Sequence, residues 1–434
     1  MRKSLIGSFV GSNKSQDSLL LQKLNTKTAA KRSVKAGGVQ AILEQIRINV
    51  QANLARYKDD VTYLREEKLV DDYVTKCINN GVIAIDTETT GLDCMNDEVV
   101  GSCLYTPGEK AIYVPHKHKS YITSQYLNNQ ISYEFMQAQY QRLKDNGVKI
   151  IMHNAKFDKR MIKNNFGVDL DIYWDTMLAA KILDNRDDAS LKGQTAKYIN
   201  KEEKTYDYSK LFKQVEYAYV PVDVASLYAA ADSLITYELY EFQKEWFKSR
   251  EKAYNLFMNL EMQVLPVVCD MENAGVYLDD KYAQELSVKY HAQLDEALSQ
   301  LDKEIAKYKG EIDKYNAYHP TKPLPAKINW SSPQQLSVLF YDILGFQSVD
   351  KKSPRGTGED FMKHYGDKGV TICKVILKYR GILKLLSTYI DKLPEVMNSK
   401  THRIHASFNQ IGADTGRFSS SDPKIRLGRR LAIA

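Results

Sequence analysis

Three short stretches carry residue types that could act together on a cation. Asp86-Thr87-Glu88 closes the apolar run Val82-Ile83-Ala84-Ile85. On a strand, residues i and i+2 share a face, so both carboxylates can approach one metal ion. His153-Asn154-Ala155-Lys156-Phe157-Asp158 follows a second apolar run, Val148 to Met152, and sets Asp158 on the first turn of the next helix. If the two strands are neighbours, Asp158 comes close to Asp86. Tyr228-Ala229-Ala230-Ala231-Asp232 lies in a helical pattern, where positions i and i+4 bring phenol and carboxylate to one face and the alanines keep that face low. Taken singly, each has a plainer reading. Asp-x-Glu can be a solvated strand end, Asp158 an acid favoured by a helix dipole, and Tyr228 a packing residue beside a solvated Asp232.

The order of the set adds what the single stretches lack. An Asp-x-Glu after a strand, an Asn-x-x-Phe-Asp after another and a Tyr-x-x-x-Asp on a helix resemble the DEDD exonucleases, in the subclass with tyrosine in the third motif, over residues 82–245. The resemblance implies an α/β ribonuclease H-like domain, a mixed sheet flanked by helices. It also implies Asp86, Glu88, Asp158 and Asp232 as metal ligands and two Mg²⁺ (or Mn²⁺) ions as cofactors. Phosphodiester cleavage needs an activated water, a shielded phosphate and a stabilised leaving oxygen, and two divalent ions about 4 Å apart serve all three. Hard oxygen ligands suit those ions. Tyr228 would orient the attacking water, because a phenol with a pKa near 10 is a poor base at neutral pH. Trp174-Asp175-Thr176-Met177-Leu178-Ala179 also looks like a segment of these enzymes, and Asp175 is read as the cap of a helix starting at Thr176. Cys94, Cys103, His116 and His118 have no zinc-site spacing and are read as surface loop.

The elements around these residues alternate. A helical pattern runs from Val39 to Tyr57 and a second from Val61 to Ile78, stopped at Asn79-Asn80-Gly81. Strands are expected at 82–85, 99–105, 111–114 and 148–152, with a helix over 134–146 and another after Asn154. The expected domains are a flexible basic arm over 1–40, a helical leader over 41–80 and the exonuclease domain over 81–248. A mainly helical region follows over 249–402, including one long helix over 370–398 and a helix begun by Ser332-Pro333, then a short strand Arg403–Ala406.

That second half carries its own resemblance. Leu260-Glu261-Met262-Gln263-Val264-Leu265-Pro266, Asp270-Met271-Glu272-Asn273-Ala274-Gly275-Val276 and Ile328-Asn329-Trp330-Ser331-Ser332-Pro333 look like the opening of the polymerase part of family A DNA polymerases. Tyr379-Arg380-Gly381, Ser387-Thr388-Tyr389, Lys392-Leu393-Pro394 and Thr415-Gly416-Arg417-Phe418-Ser419-Ser420-Ser421-Asp422-Pro423 resemble their thumb and first palm segments. Arg380 and Lys384, four apart on one helix, suit two phosphates, and Arg417 a phosphate or a minor-groove acceptor. After Pro423 the likeness stops. Lys424–Ala434 is basic and divergent, and the palm aspartate motifs and the fingers helix are missing. The expectation is therefore a thumb-like region with an incomplete palm over 403–434, in a chain interrupted by an intron, a frameshift or a split gene.

Composition narrows the classes. Of 434 residues 43% are apolar and 26% charged, which excludes global disorder, and a net charge of +7 is mild for a nucleic-acid binder. Five cysteines without a CxxC pair argue against a disulfide frame and for a reducing, intracellular setting, and the polymerase resemblance implies the cytoplasm of a bacterium or phage-infected cell. No apolar run is long enough for a membrane. Three functions fit. The first is a proofreading 3′→5′ exonuclease acting on single-stranded DNA 3′ ends and primer-template DNA within a truncated family A polymerase. The second is an inactive DNA-binding fragment that needs a separate carboxy-terminal polymerase chain, and the third an RNA exonuclease of the ribonuclease D type.

Overall fold

The computed structural model describes residues 36–200, 215–413 and 415–421. Most of the arm expected over 1–40, and the tail Lys424–Ala434, lie outside the described residues. Two compact units meet between Cys269 and Asp270.

The first unit is built on a six-stranded mixed sheet. Its strands are β1 (Val61–Tyr63), β2 (Val82–Thr89), β3 (Val99–Tyr105), β4 (Ala111–Pro115), β5 (Lys149–Met152) and β6 (Ile172–Asp175), in the order β1-β4-β3-β2-β5-β6. β2 runs antiparallel to β3 and parallel to β5, and β5 parallel to β6. The helices are α1 (Ala36–Asn53), α2 (Glu67–Asn80), α3 (Tyr133–Asp145), α4 (Ala155–Phe166), α5 (Thr176–Leu183), α6 (Leu191–Tyr198) and α7 (Val222–Phe247). β4 is buried along its whole length, as expected of a strand with helices on both faces. Gly81, in the left-handed region at φ 67°, ends α2 and leads into β2. Gly101 has a different duty: a Cβ there would meet the Tyr113 ring at 2.1 Å, so only glycine lets that ring lie across β3.

Two expectations need correcting here. Val61–Tyr63 is not helix; it is an edge strand paired in parallel with Ala111–Tyr113. The β-branched and aromatic side chains of Val-Thr-Tyr favour that state once a partner strand is present. Nor is 41–80 a leader apart from the exonuclease domain. Leu43, Ile46 and Val50 of α1 are buried in one core with Val222, Ala225 and Ala229 of α7. The first unit also continues past 248, because Phe257 packs on Trp174 and Phe247 at 4.6 and 5.4 Å between ring centroids. Short helix α8 (Glu251–Leu256), a π turn at Phe257–Glu261 and α9 (Met262–Ala274) carry the chain onward.

The second unit is mainly helical. Its core gathers Ala297 and Leu301 of α10 (Asp280–Ala306) with Trp330, Leu336, Phe340, Phe361, Ile372 and Ile376. The Ser332 side chain caps the helix begun by Pro333 by accepting from the Gln335 amide. The long helix expected over 370–398 is three pieces: a helix over Thr371–Leu385, a π turn over Leu386–Ile390 and a short helix over Lys392–Glu395. The strand expected at 403–406 is shorter, Arg403–Ile404, and a separate strand, Ser407–Asn409, follows it.

Candidate functional site

The sheet order decides the site. Because β5 lies beside β2 in parallel register, with Ala84 opposite Ile151, the ends of both strands deliver their acids to one place. Asp86 and Glu88 lie within β2, which runs on to Thr89, rather than past its end. Between them Thr87 does work of its own. Its amide and its hydroxyl donate to the Asp158 Oδ1 at 2.9 and 2.6 Å, tying the first turn of α4 to β2.

The turn between β5 and α4 is braced in turn. Asn154 adopts the left-handed region at φ 60°, a strained choice for a side-chain-bearing residue. Asp175, buried at the end of β6, accepts from the Asn154 and Ala155 amides at 3.1 and 2.9 Å. It also accepts from Met177 and Leu178 at 2.8 and 3.3 Å and so caps α5, as its position suggested. One carboxylate thus anchors two helix starts, and α4 cannot shift without losing both.

The third contribution comes from α7. Buried Ala225, Ala229, Ala230 and Ala231 let this helix pack across β2, β3 and β4, while half-buried Tyr228 and Asp232 border the acids of β2. Gln243 clasps it to the sheet by accepting from the Trp174 indole at 2.9 Å and donating to the Thr176 carbonyl at 2.8 Å.

Charge is concentrated here. Burial pushes the Asp86 and Glu88 carboxyls well above the usual range, and the neighbouring carboxylates, Asp158 and Asp232 among them, push the same way. Burial also raises Asp158, to about 7, against the pull of the two Thr87 bonds. Among the described residues a cation faces them: the Lys192 ammonium, from α6, forms an ion pair with the Asp232 Oδ1 and lowers both Asp86 and Glu88. It stands 5.7 Å from the centre of the Tyr228 ring. Sequence reading named Asp86, Glu88, Asp158, Tyr228 and Asp232, and all five come together. It missed Lys192, Thr87 and the double use of Asp175.

The donor set, four hard carboxylates of which burial makes Asp86, Glu88 and Asp158 resist ionising, fits a hard divalent cation. Among the described residues no group of three or more His, Cys, Asp or Glu side chains is already drawn tight enough to hold one. Asp158 is turned to Thr87 and Asp232 to Lys192.

The histidines and cysteines expected on a surface loop are buried instead. His116 Nε2 meets the Ser102 hydroxyl at 2.9 Å and its Nδ1 the Ile131 carbonyl at 2.9 Å. His118 bridges the Tyr113 hydroxyl at 2.7 Å and the Val220 carbonyl at 2.9 Å. They cross-link the loop after β4 to the core. In the second unit Arg380 donates to the Trp330 and Thr357 carbonyls at 3.0 and 2.7 Å, a brace that sequence did not suggest. Lys384 borders the same surface pocket as Arg380, with Ser331, Leu383 and Ser387, and Arg417 is exposed.

Comparison with known proteins agrees with this division. Residues 61–246 match the family model for the 3′-5′ exonuclease of family A polymerases, and residues 288–427 match that for DNA polymerase family A. DNA polymerase I of Borreliella burgdorferi is 29% identical over 359 residues, covering 82% of this chain and 36% of that protein. A DNA polymerase of Bacillus phage SP01 is 26% identical over 317 residues, 64% of this chain and 34% of its own length. The chain therefore spans little more than a third of these relatives. Among solved structures, the POL domain of Pol1 from M. smegmatis, in complex with DNA primer-template and dNTP, resembles it in fold. That match has a TM-score of 0.64 and 18% identity and covers 83% of this chain and 55% of that one. No helix among the described residues is long and apolar enough to cross a membrane.

Proposed function

From a chain that belongs to the family A DNA polymerases, we propose a metal-dependent 3′→5′ exonuclease, seated in the first unit and removing nucleotides from DNA 3′ ends as a proofreader does. One observation carries the reading. Four carboxylates from three separate segments converge beside a tyrosine, at a cost in mutual repulsion that a core would not keep without a use. Match of residues 288–427 to the polymerase family supports DNA over the RNA exonuclease alternative.

Asp86, Glu88, Asp158 and Asp232 are the residues that would hold the ions. Two Mg²⁺ or Mn²⁺ ions bound there would supply Lewis acidity, a water more easily deprotonated to the attacking hydroxide, and neutralisation of the phosphate. The chain's own part is positional. Thr87 and Asp175 hold Asp158 in place through β2 and the start of α4. Tyr228, on the same face of α7 as Asp232, orients the attacking water with its hydroxyl. In the second unit, Lys384 and Arg417 offer cationic contacts for phosphates of a duplex.

Purified chain incubated with 5′-labelled single-stranded DNA and RNA, with Mg²⁺ or with EDTA, tests this. Stepwise shortening of DNA from the 3′ end in Mg²⁺ alone is expected. Asp158→Ala abolishes it; shortening that survives that change, or that proceeds in EDTA, overturns the reading.

A further inference from the structure

The Lys192 ammonium is a feature of the site that the exonuclease chemistry does not call for. It is the second residue of α6, a helix whose start is fixed by the Ser190 hydroxyl, which accepts from the Gly193 amide at 3.2 Å and donates to Asp188 at 2.7 Å. A helix N-terminus is a poor place for a cation, because the dipole there is positive. What holds Lys192 is therefore the acid cluster. Its side chain is 23% exposed and that of its partner Asp232 14%, so the pair is largely withdrawn from water. Its field also reaches Asp86 and Glu88 on β2.

We propose that Lys192 is the resident counter-ion of Asp232, so that a divalent ion reaches this carboxylate only by displacing the ammonium. This rests on the proposed function, which makes Asp232 a metal ligand. Asp232 Oδ1 cannot serve the ammonium and a divalent ion at full strength together, since each needs the same lone pairs and like charges a few ångströms apart repel. Lys192 thereby keeps the acids compatible when no metal is present and sets the metal concentration at which the site assembles. Once released, its flexible stem leaves the ammonium at the edge of the site, beside Tyr228, where a nucleotide phosphate is its natural new partner.

The test is Mn²⁺ binding to the full chain, followed by electron paramagnetic resonance of the free ion with no DNA present. Lys192→Met is expected to bind Mn²⁺ about three- to tenfold more tightly than the parent, the size of a partly buried charge contact. Its melting temperature without metal should be lower, because the acids lose their counter-ion. Lys192→Arg, which keeps the charge, should follow the parent in affinity. Lys244→Met, on α7 but paired to Glu241 away from the acids, controls for net charge and should change nothing. Unchanged or weaker Mn²⁺ binding in Lys192→Met overturns the inference while leaving the exonuclease reading intact. A parent chain that binds no Mn²⁺ overturns both. Should Lys192→Met fail to fold, Lys192→Gln carries the same expectation.

Discussion

At Asp86 stability and function pull in opposite directions. Its carboxyl is raised by burial and by three neighbouring acids, so ionising it costs the metal-free protein stability. Asp86→Asn keeps shape and removes the charge. The expected outcome is a metal-free melting temperature a few degrees higher, at about 2–4 °C per kcal/mol for a domain of this size, together with loss of nuclease activity. Scanning calorimetry in EDTA and the labelled-DNA assay check the two halves separately; an unchanged or lower melting temperature would remove the repulsion argument. Tyr228→Phe is a milder change. It keeps the ring and loses only the hydroxyl, so a partial loss of kcat of about 10- to 100-fold is expected. A loss as complete as that of Asp158→Ala would give the phenol a larger part than orientation.

The five residues of the set were legible because each is bound to a local pattern: a carboxylate pair at strand spacing, an acid one turn into a helix, a tyrosine and an acid four apart. Lys192 had no such signature. Its meaning comes from a contact with Asp232, 40 residues away, and in sequence it is one lysine among many. Thr87 was hidden by its neighbours, being read as the spacer of Asp-x-Glu when its two donors are what fix Asp158.

The elements follow the same division. Strands β2 to β5 were readable as apolar runs punctuated by turns, and α7 by its alanine-rich periodicity. β1 was not, since Val61-Thr62-Tyr63 becomes a strand only by pairing with Ala111–Tyr113, which no local pattern announces. The segment after β4 misled for a related reason. His116 and His118 alternate like a polar strand end, and only the carbonyls of Ile131 and Val220, brought from elsewhere in the chain, bury them. That burial gives a pH prediction. Loss of water lowers each histidine from 6.5 to about 4. The unfolded chain therefore takes up protons near pH 6.5 that the folded chain refuses until about pH 4. Stability from these two groups is complete above pH 6.5 and is lost as pH falls toward 4, by at most about 3 kcal/mol each. Urea denaturation between pH 7.5 and 4.5 should show this fall, and the double variant His116→Gln, His118→Gln should be less stable at pH 7.5 but lose less on acidification. An equal slope in parent and variant would assign the acid sensitivity to other groups.

At the scale of the whole chain the question is how it meets nucleic acid. Sixty-one basic residues against 54 acidic ones leave +7, and a large share of that charge is already spent. Lys163 and Lys197 are paired with Asp169 and Asp187, Arg355 with Asp342, and Arg380 is committed to two backbone carbonyls. What remains for phosphates is scattered, Lys384 beside its pocket and exposed Arg417 among them. The four acids of the exonuclease site repel a phosphate until a divalent ion screens them. Binding should therefore be weak and strongly salt-dependent, with single-stranded DNA in Mg²⁺ losing affinity along a log–log slope of roughly −2 to −3.5, as for about three to five neutralised phosphates at about 0.7 per contact. In EDTA the affinity should drop further while the slope stays, because the acids then oppose the strand without changing which lysines and arginines it touches. Fluorescence anisotropy of the parent chain with a labelled oligonucleotide made cleavage-resistant by phosphorothioate linkages at its 3′ end, from 50 to 300 mM KCl, measures both quantities. A slope near zero would mean that the strand is held chiefly by stacking on tyrosines or by another apolar surface, and the cationic account of binding would fall.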